Sequence, residues 1–408
     1  MKCPLSASEK NVKTAIVGGG AAGFFLAVNL KEMMPQMEVT ILERSQHLLA
    51  KVAVSGGGRC NCTNSFAHVT DLSQVYPHGH RLMKHLFRQF DHRDAYQWFE
   101  RHGVRLTTQA DDCVFPATQD SHTIINCFLA EARRHHINIC TGVKVCSLSD
   151  VAGYDFVGVC TGGSPRAEGL QWLADAGHEI VPPVPSLFTL SIADGAFTSL
   201  MGTVVDSVQL MIPGTKMRAE GPLLITHWGV SGPAVLRLSS YAARHLSEAG
   251  YRVPLNVNWT GQKASDVMSV LCSLQAQYPQ KQLQTVRPCG LPARLWEYLL
   301  AKTLGQRATN RWQNLNAKEL NRLVNVLTND TYQTAGRATF RDEFVTCGGV
   351  ALSCVNPVTL ESRHVPRLFF AGEVLDIDGV TGGFNFQAAW TTAFAVAKAI
   401  AGKPSPTM

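Results

Sequence analysis

Gly18-Gly19-Gly20-Ala21-Ala22-Gly23 fits the pattern G-x-G-x-x-G, and Glu43 lies twenty residues beyond its last glycine. Each position has a physical task when a dinucleotide binds. Gly18 allows a tight turn, Gly20 lets the backbone approach a pyrophosphate, and Gly23 lets a helix pack closely on a strand. The helix that opens at Ala21 and Ala22 offers its unpaired N–H groups and positive dipole end to phosphate. The Glu43 carboxylate is placed to accept from ribose hydroxyls. A second glycine-rich stretch, Lys51-Val52-Ala53-Val54-Ser55-Gly56-Gly57-Gly58-Arg59-Cys60-Asn61-Cys62-Thr63-Asn64, can turn backbone amides toward an anion, with Lys51 and Arg59 adding positive charge. Other reactive side chains are few. His227, between Thr226 and Trp228, is the candidate acid–base group, weighed against a packed histidine. Cys60 as a redox thiol lacks a partner at Cys-x-x-Cys spacing, and Cys62 in the same loop is free to face the other way. His78, His80 and His85 form no zinc spacing with any cysteine, so no metal is expected.

The elements that must position these residues alternate between strand and helix. Val12–Val17 reads as a short strand, Ala21–Met34 as a helix stopped by Pro35, and Val39–Leu42 as the next strand. Asp91 caps a helix over 93–102. Thr123–His136 is amphipathic, and short strand-like runs follow at Ile137–Cys140, Val143–Cys146 and Tyr154–Cys160. This alternation predicts an α/β domain with a parallel sheet. The texture changes near Pro182-Pro183-Val184-Pro185. Leu187–Trp259 reads as β-rich, a small barrel, and Ala264–Asn329 as helical. A strand at Leu368–Ala371 and a helix over Phe384–Ala401 return to the first domain, whose sheet is therefore expected to draw on both chain ends. The expected domains are 1–186 with 345–408, a barrel over 187–262 and 330–344, and a helical subdomain over 263–329.

Of the 408 residues, 45% are hydrophobic and 17% charged, a balance that supports a sizeable core and excludes a disordered chain. The formal charge of +6 is mild, and no basic run points to nucleic acid. Twelve scattered cysteines read as reduced, buried thiols. The apolar stretch over 14–30 contains four glycines, which argues against a membrane span. A cytoplasmic protein with no membrane partner is the expectation.

Beyond these spacings, the stretch Ser55–Asn64 resembles the S-G-G-G-R-C-N-x-T-N signature of a bacterial NAD(P)/FAD-dependent oxidoreductase family that includes aminoacetone oxidases and bile-acid ring reductases. Val114–Thr118, Thr226–Leu236, Val345–Val350 and Phe370–Gln387 resemble further family segments in the same order. The resemblance implies FAD as cofactor, held by a glutathione-reductase-type α/β domain that carries an inserted β-barrel and a helical subdomain. It implies that Glu43 and Arg44 hold the adenosine end and that Lys51, Ser55, Gly56, Gly57, Arg59, Cys60 and Asn61 line the pyrophosphate and flavin. The backbone at Val145 would meet adenine, with Thr161 and Gly162 nearby, and Gly372 and Glu373 would meet the ribityl and phosphate groups. Gly382 and Gly383 precede a helix whose N-terminus, at Phe384, Asn385 and Phe386, would stabilise the reduced flavin, with the Asn385 side chain as an added donor. The chain departs from the family between Val143 and Thr161, where relatives carry a longer meander. Cys160 stands for an alanine, and the following stretch is reduced to Ser164-Pro165.

One dinucleotide fingerprint is present and no second one, so NAD(P)H would bind only transiently as electron donor. The expected activity is hydride transfer between a small organic substrate and flavin N5, with NAD(P)H or oxygen as the other partner. The alternative is a flavin-holding protein whose inserted domains bind a macromolecule such as RNA. Lys302, Arg307, Arg311, Lys318 and Arg322 supply its basic residues, which otherwise read as a solvated helical face.

Overall fold

The computed structural model describes residues 12–164, 166–338 and 345–403. The chain divides into two compact units, Met1–Val184 with Val345–Met408, and Pro185–Phe344. The expected barrel segment over 330–344 lies outside the described residues from 339 onward, as does Pro165.

The first unit is built on a five-stranded parallel sheet in the order Leu368–Phe370, Phe156–Val159, Lys13–Val17, Glu38–Glu43, Asn138–Thr141. Both chain ends therefore supply strands. Ile16 pairs in register with Ile41 on one side and Gly158 on the other. Lys13–Val17, Phe156–Val159 and Leu368–Phe370 are short apolar runs buried on both faces, as parallel strands covered by helices must be, whereas the edge strand Asn138–Thr141 is largely exposed. Helix Ala21–Met33 is buried along most of its length and packs beside the C-terminal helix Phe384–Ala401. Phe25, Trp98, Phe128 and Trp390 meet in one aromatic cluster, with Phe25 centred 4.6 Å from Trp98 and 5.1 Å from Trp390. The helix His92–Arg101 starts on an Asp91 capping box.

The Val143–Cys146 run is not a strand. Its first N–H donates to the Glu43 carbonyl, and the Asp150 carboxylate takes the N–H groups of Cys146 and Ser147. Those bonds hold the stretch as an irregular loop before the short helical turn at Leu148–Val151.

The second unit contains a closed antiparallel barrel in the order Val204–Met211, Arg218–Thr226, Gly229–Ser231, Leu190–Ile192, Asp330–Arg337, Pro254–Asn258. Three helices, Ala264–Gln277, Ala293–Leu304 and Ala317–Thr328, share one apolar cluster with it through Leu271, Leu295, Trp296, Leu299, Leu323 and Leu327. The β-rich reading of 187–259 misses three helices, the one-turn Gly195–Thr198 and then Pro233–Tyr241 and Ala243–Glu248. Gly232 at φ 97° turns the chain and Pro233 starts the helix, where its missing N–H costs nothing. The buried Ala234, Val235 and Leu238 then follow a helical, not an alternating, period.

Candidate cofactor site

Four parallel strands deliver the predicted residues to one end of the first unit. Gly18 follows Val17, Glu43 closes the second strand, Thr161 and Gly162 follow Val159, and Gly372 follows Phe370. The strand order reverses between Lys13–Val17 and Phe156–Val159, and ligands of open α/β sheets bind at the carboxyl ends of the strands beside such a reversal.

The glycines of the first turn divide into two kinds. A Cβ on Gly18 would lie 2.3 Å from the Cys160 carbonyl, and one on Gly23 would lie 2.0 Å from the Gly18 carbonyl. Those two positions exist for close packing. A Cβ on Gly20 would meet nothing within 4 Å, and the same holds for Gly57 and Gly58. These positions face open space of the kind a pyrophosphate fills. The helix Ala21–Met33 has no side-chain cap and no acidic residue in its first turn, so its N-terminal N–H groups are left for a ligand. Glu43 is held by the Gly19 N–H (2.7 Å) and the Ser45 N–H (2.8 Å), which fixes its carboxylate beside the turn.

The second motif breaks its own helix. Ser55 leaves helical geometry at ψ 149° and Gly56 and Gly57 turn left-handed, so the chain Ala50–Gly58 ends in an exposed loop of amides. Lys51 Nζ pairs with Glu373 Oε2 at 2.7 Å, joining residues 322 apart in sequence. Glu373 Oε1 also accepts from the Thr346 N–H at 2.8 Å, and a Cβ on Gly163 would press on Glu373 and Thr346. Lys51, Gly162, Glu373 and Thr346 therefore form one polar patch. Gly372 packs against Ala22, which places the C-terminal motif against the first helix.

The loop Cys60–Asn64 is fastened to the start of the C-terminal helix. Asn61, with its amide oriented to satisfy its neighbours, donates to the Thr63 carbonyl (2.8 Å) and accepts from the Gly383 N–H (3.1 Å). Thr63 Oγ1 donates to Gln387 Oε1 at 2.6 Å, Asn64 Nδ2 to the Gly382 carbonyl at 3.0 Å, and the Trp390 indole to the Cys62 carbonyl at 2.8 Å. The C-terminal helix begins on Gly383 at φ 89° with neither side-chain cap nor acidic first turn.

Some expectations change. The Asn385 side chain is not a donor toward a ligand. Its Nδ2 donates to the Gly379 carbonyl and its Oδ1 accepts from the Gly379 N–H, both at 2.8 Å, so it holds the turn before the helix. Arg59 is pinned by the Gly56 carbonyl, Gln119 and the Phe115 ring, 4.3 Å from its guanidinium. The Phe386 ring stacks on Trp390 at 5.6 Å, and Val145 is buried in the irregular stretch between Asn138–Thr141 and Leu148–Val151. Cys62 does not face away from Cys60. Their sulfurs are 3.9 Å apart, and both are fully buried. Burial, with Cys60 alongside, pushes the Cys62 thiol well above its ordinary range. His227 is not a packed barrel residue: it is exposed on the turn between two barrel strands, with the Trp228 ring edge-on at 4.4 Å. Arg44 lies just past the second strand, beside Glu43.

One cluster escapes any reading by spacing. His78 Nδ1 lies 2.6 Å from Asp378 Oδ1 and 3.5 Å from Cys347 Sγ, across 300 and 269 residues. The Asp378 carboxylate, with Cys347 assisting, pushes the His78 imidazole up to about 10 against the opposing effect of burial. The sequence signal was the occurrence of Cys347 and Asp378 inside two of the matching segments.

The residues fit FAD. They provide an open glycine cradle and an uncapped helix end that would hold phosphates, an anchored carboxylate that would accept from a ribose, and a second uncapped helix end. Among the described residues no helix is long and apolar enough to cross a membrane.

Residues 12–163 match the HI0933-like protein Rossmann domain, and residues 184–345 the HI0933-like protein barrel and H2TH domain. A 3-dehydro-bile acid delta(4,6)-reductase of Clostridium scindens is 27% identical over 96% of this chain and 100% of its own length. A ribosomal RNA dihydrouridine synthase of Escherichia coli is 29% identical over 94% of this chain and 96% of its own. Among solved structures, the 3-ketosteroid delta1-dehydrogenase of Sterolibacterium denitrificans aligns at 10% identity and a TM-score of 0.44, over 95% of this chain and 99% of that one. The chain belongs to the HI0933-like family, and with it to the bacterial FAD-dependent oxidoreductases.

Proposed function

We propose that the protein reduces a carbon–carbon double bond conjugated to a carbonyl in a small organic substrate, with NAD(P)H as the transient electron source. The observation that carries this reading is shared chemistry. The names of both relatives, a delta(4,6)-reductase of a 3-dehydro bile acid and a dihydrouridine synthase, denote saturation of a ring double bond beside a carbonyl. Bound FAD would supply the hydride. The chain's own residues do the rest. The first helix end and the Gly56–Gly58 loop would hold the phosphates, Glu43 and Arg44 would hold the adenosine, and Lys51 with Glu373 would hold the ribityl and phosphate groups. The Gly383 helix end would favour negative charge on a bound flavin.

The test is anaerobic mixing of the holoprotein with NADPH or NADH, followed by a cyclic enone. Bleaching of the flavin by the nicotinamide and its recolouring by the enone are expected. Flavin that reoxidises rapidly in oxygen and ignores every enone would return the oxidase reading.

A second reading, in which the double bond sits in a uracil of RNA, is favoured by the charge distribution. Residues 263–329 carry nine Lys and Arg against three Asp and Glu, which equals the whole chain's formal excess of +6. Lys302 pairs with Asp330 and Arg307 with Glu319, but Lys281, Arg287, Arg311, Lys318 and Arg322 are exposed. Retention of RNA on a filter at physiological salt, lost on raising the salt, would favour it. No retention would leave the small substrate.

A further inference from the structure

Two stretches of the first unit run against each other, from Val75 to His80 and from Asp376 to Phe384. The Val380 N–H donates to the Val75 carbonyl (2.9 Å), the Tyr76 hydroxyl donates to the Phe384 carbonyl (2.9 Å), and His78 and Asp378 form an antiparallel bridge. A Cβ on Gly79 would lie 2.7 Å from Ile377 Cγ1, so the seam is tight. It leads directly into the uncapped helix end at Gly383. Cys347 joins the seam one residue after Thr346, whose N–H holds Glu373.

On this seam the Asp378 side chain has no exposure and the His78 side chain keeps 28%. A carboxylate cut off from water needs a compensating charge or proton, and the His78 ring supplies it through Nδ1 at 2.6 Å. An aspartate that holds Nδ1–H fixes the ring's tautomer and orientation and leaves Nε2 as the working atom. Among the described residues nothing bonds to His78 Nε2.

We propose that His78, oriented by Asp378, is the proton donor of the reduction. This rests on the double-bond reductase reading. The substrate's β-carbon gains a C–H bond with the hydride's electron pair, and the π electrons move to the carbonyl oxygen as an enolate. The Nε2–H bond then breaks, the proton forms the C–H bond at the α-carbon, and the carbonyl re-forms. Neutral imidazole remains and is reprotonated from solvent, and the two electrons derive from the nicotinamide. Among the described residues, the titratable groups acting on the ring are Asp378 and Cys347. They keep the ring charged through neutral pH, so the donor is loaded at working pH. His78, Cys347 and Asp378 are also metal-binding types and their donor atoms lie within 4.8 Å of one another. A metal held by these three atoms would displace the Nδ1 proton, so Zn²⁺ binding is one of the outcomes that decide between the two.

Two readouts test the assignment. In protein without FAD, with ¹⁵N-labelled histidine, His78 is expected to stay doubly protonated beyond pH 8, and its midpoint to fall by at least two units in Asp378→Asn. A wild-type midpoint near 6.5 overturns the proposal. So does one-to-one binding of Zn²⁺ that His78→Gln abolishes. In the holoenzyme, His78→Gln is expected to slow recolouring by the enone about a hundredfold, the size of a lost general acid, while bleaching by NADPH is unchanged. His78 is partly exposed, so this variant should fold even where Asp378→Asn does not. A variant that keeps the enone rate defeats the proton-donor role alone. A wild type that bleaches but reduces no enone defeats the parent reading and the role with it.

Discussion

The two glycine-led helices, Ala21–Met33 and Phe384–Ala401, differ at their N-termini from the two that begin on capping boxes, His92–Arg101 and Ala317–Thr328. Asp91 takes the N–H groups of Arg93 and Asp94, and Asn316 takes that of Glu319, so the ends of those helices are satisfied within the protein. Gly20 and Gly383 take nothing with a side chain. Absence of a cap is not itself diagnostic, since Ala264–Gln277 lacks one too. The distinguishing facts are the glycine, the position just beyond a strand tip or a glycine-rich turn, and the open space over Gly20. Of these four ends, the two on capping boxes are closed by their own chain, and the two led by glycine are not.

The largest effects should come from the packing glycines. Gly23→Ala puts a methyl 2.0 Å from a backbone carbonyl that no side-chain rotation can move, and Gly18→Ala adds a φ of 114° to a 2.3 Å approach. Each should cost about 3 kcal/mol or more and abolish FAD retention. Thermal melts of the protein without cofactor check this. Unchanged stability would mean that the first helix does not sit on its strand as described.

Gly20→Asp should separate binding from folding. A Cβ there meets nothing within 4 Å and the carboxylate would cap the helix, so stability should hold or rise by up to about 1 kcal/mol. FAD affinity should fall at least tenfold, because the carboxylate occupies the N–H groups and repels the pyrophosphate. An affinity left intact in a folded variant would break the distinction drawn between open and closed helix ends.

The sequence exposed the open ends better than the rest of the site, and the reason is physical. A glycine turn on a strand tip is local, and its pattern survives in a short window. The His78–Asp378 pair depends on two stretches 300 residues apart meeting in register, and no spacing rule reaches that far. The Asn385 amide was visible, but its commitment to Gly379 depends on a turn geometry that the letters do not fix. The Pro233–Tyr241 helix was hidden because glycine and proline, read as β-turn punctuation, here start a helix. The whole barrel unit was legible only as a change of texture, since antiparallel strands of three to nine residues carry little pattern each.

The His78–Asp378 pair belongs with the closed contacts in folding terms even though Nε2 stays available. Its folded value, about 10, lies above the ordinary 6.5 of histidine. The stabilisation is therefore complete below about pH 6.5 and is lost as pH rises through about 10. The difference in denaturant midpoint between wild type and His78→Gln should shrink between pH 6 and pH 10. A difference that grows over that range would contradict a charged pair.

The smallest effects fall on the closed helix ends. Asp91→Ala frees the N–H groups of Arg93 and Asp94 and strands the reciprocal bond from the Asp91 N–H to Asp94. Asn316→Ala does the same to Glu319, which keeps its pairing with Arg307. Loss of a cap costs about 1 kcal/mol, and water reaches both ends, so neither variant should unfold the protein. FAD affinity should be unchanged in both, although Asp91 lies in the same unit as the cradle and Asn316 does not. If Asp91→Ala weakened FAD as much as Gly20→Asp, the division between ends closed for folding and ends open for a ligand would fail, and a general loosening of the first unit would explain both.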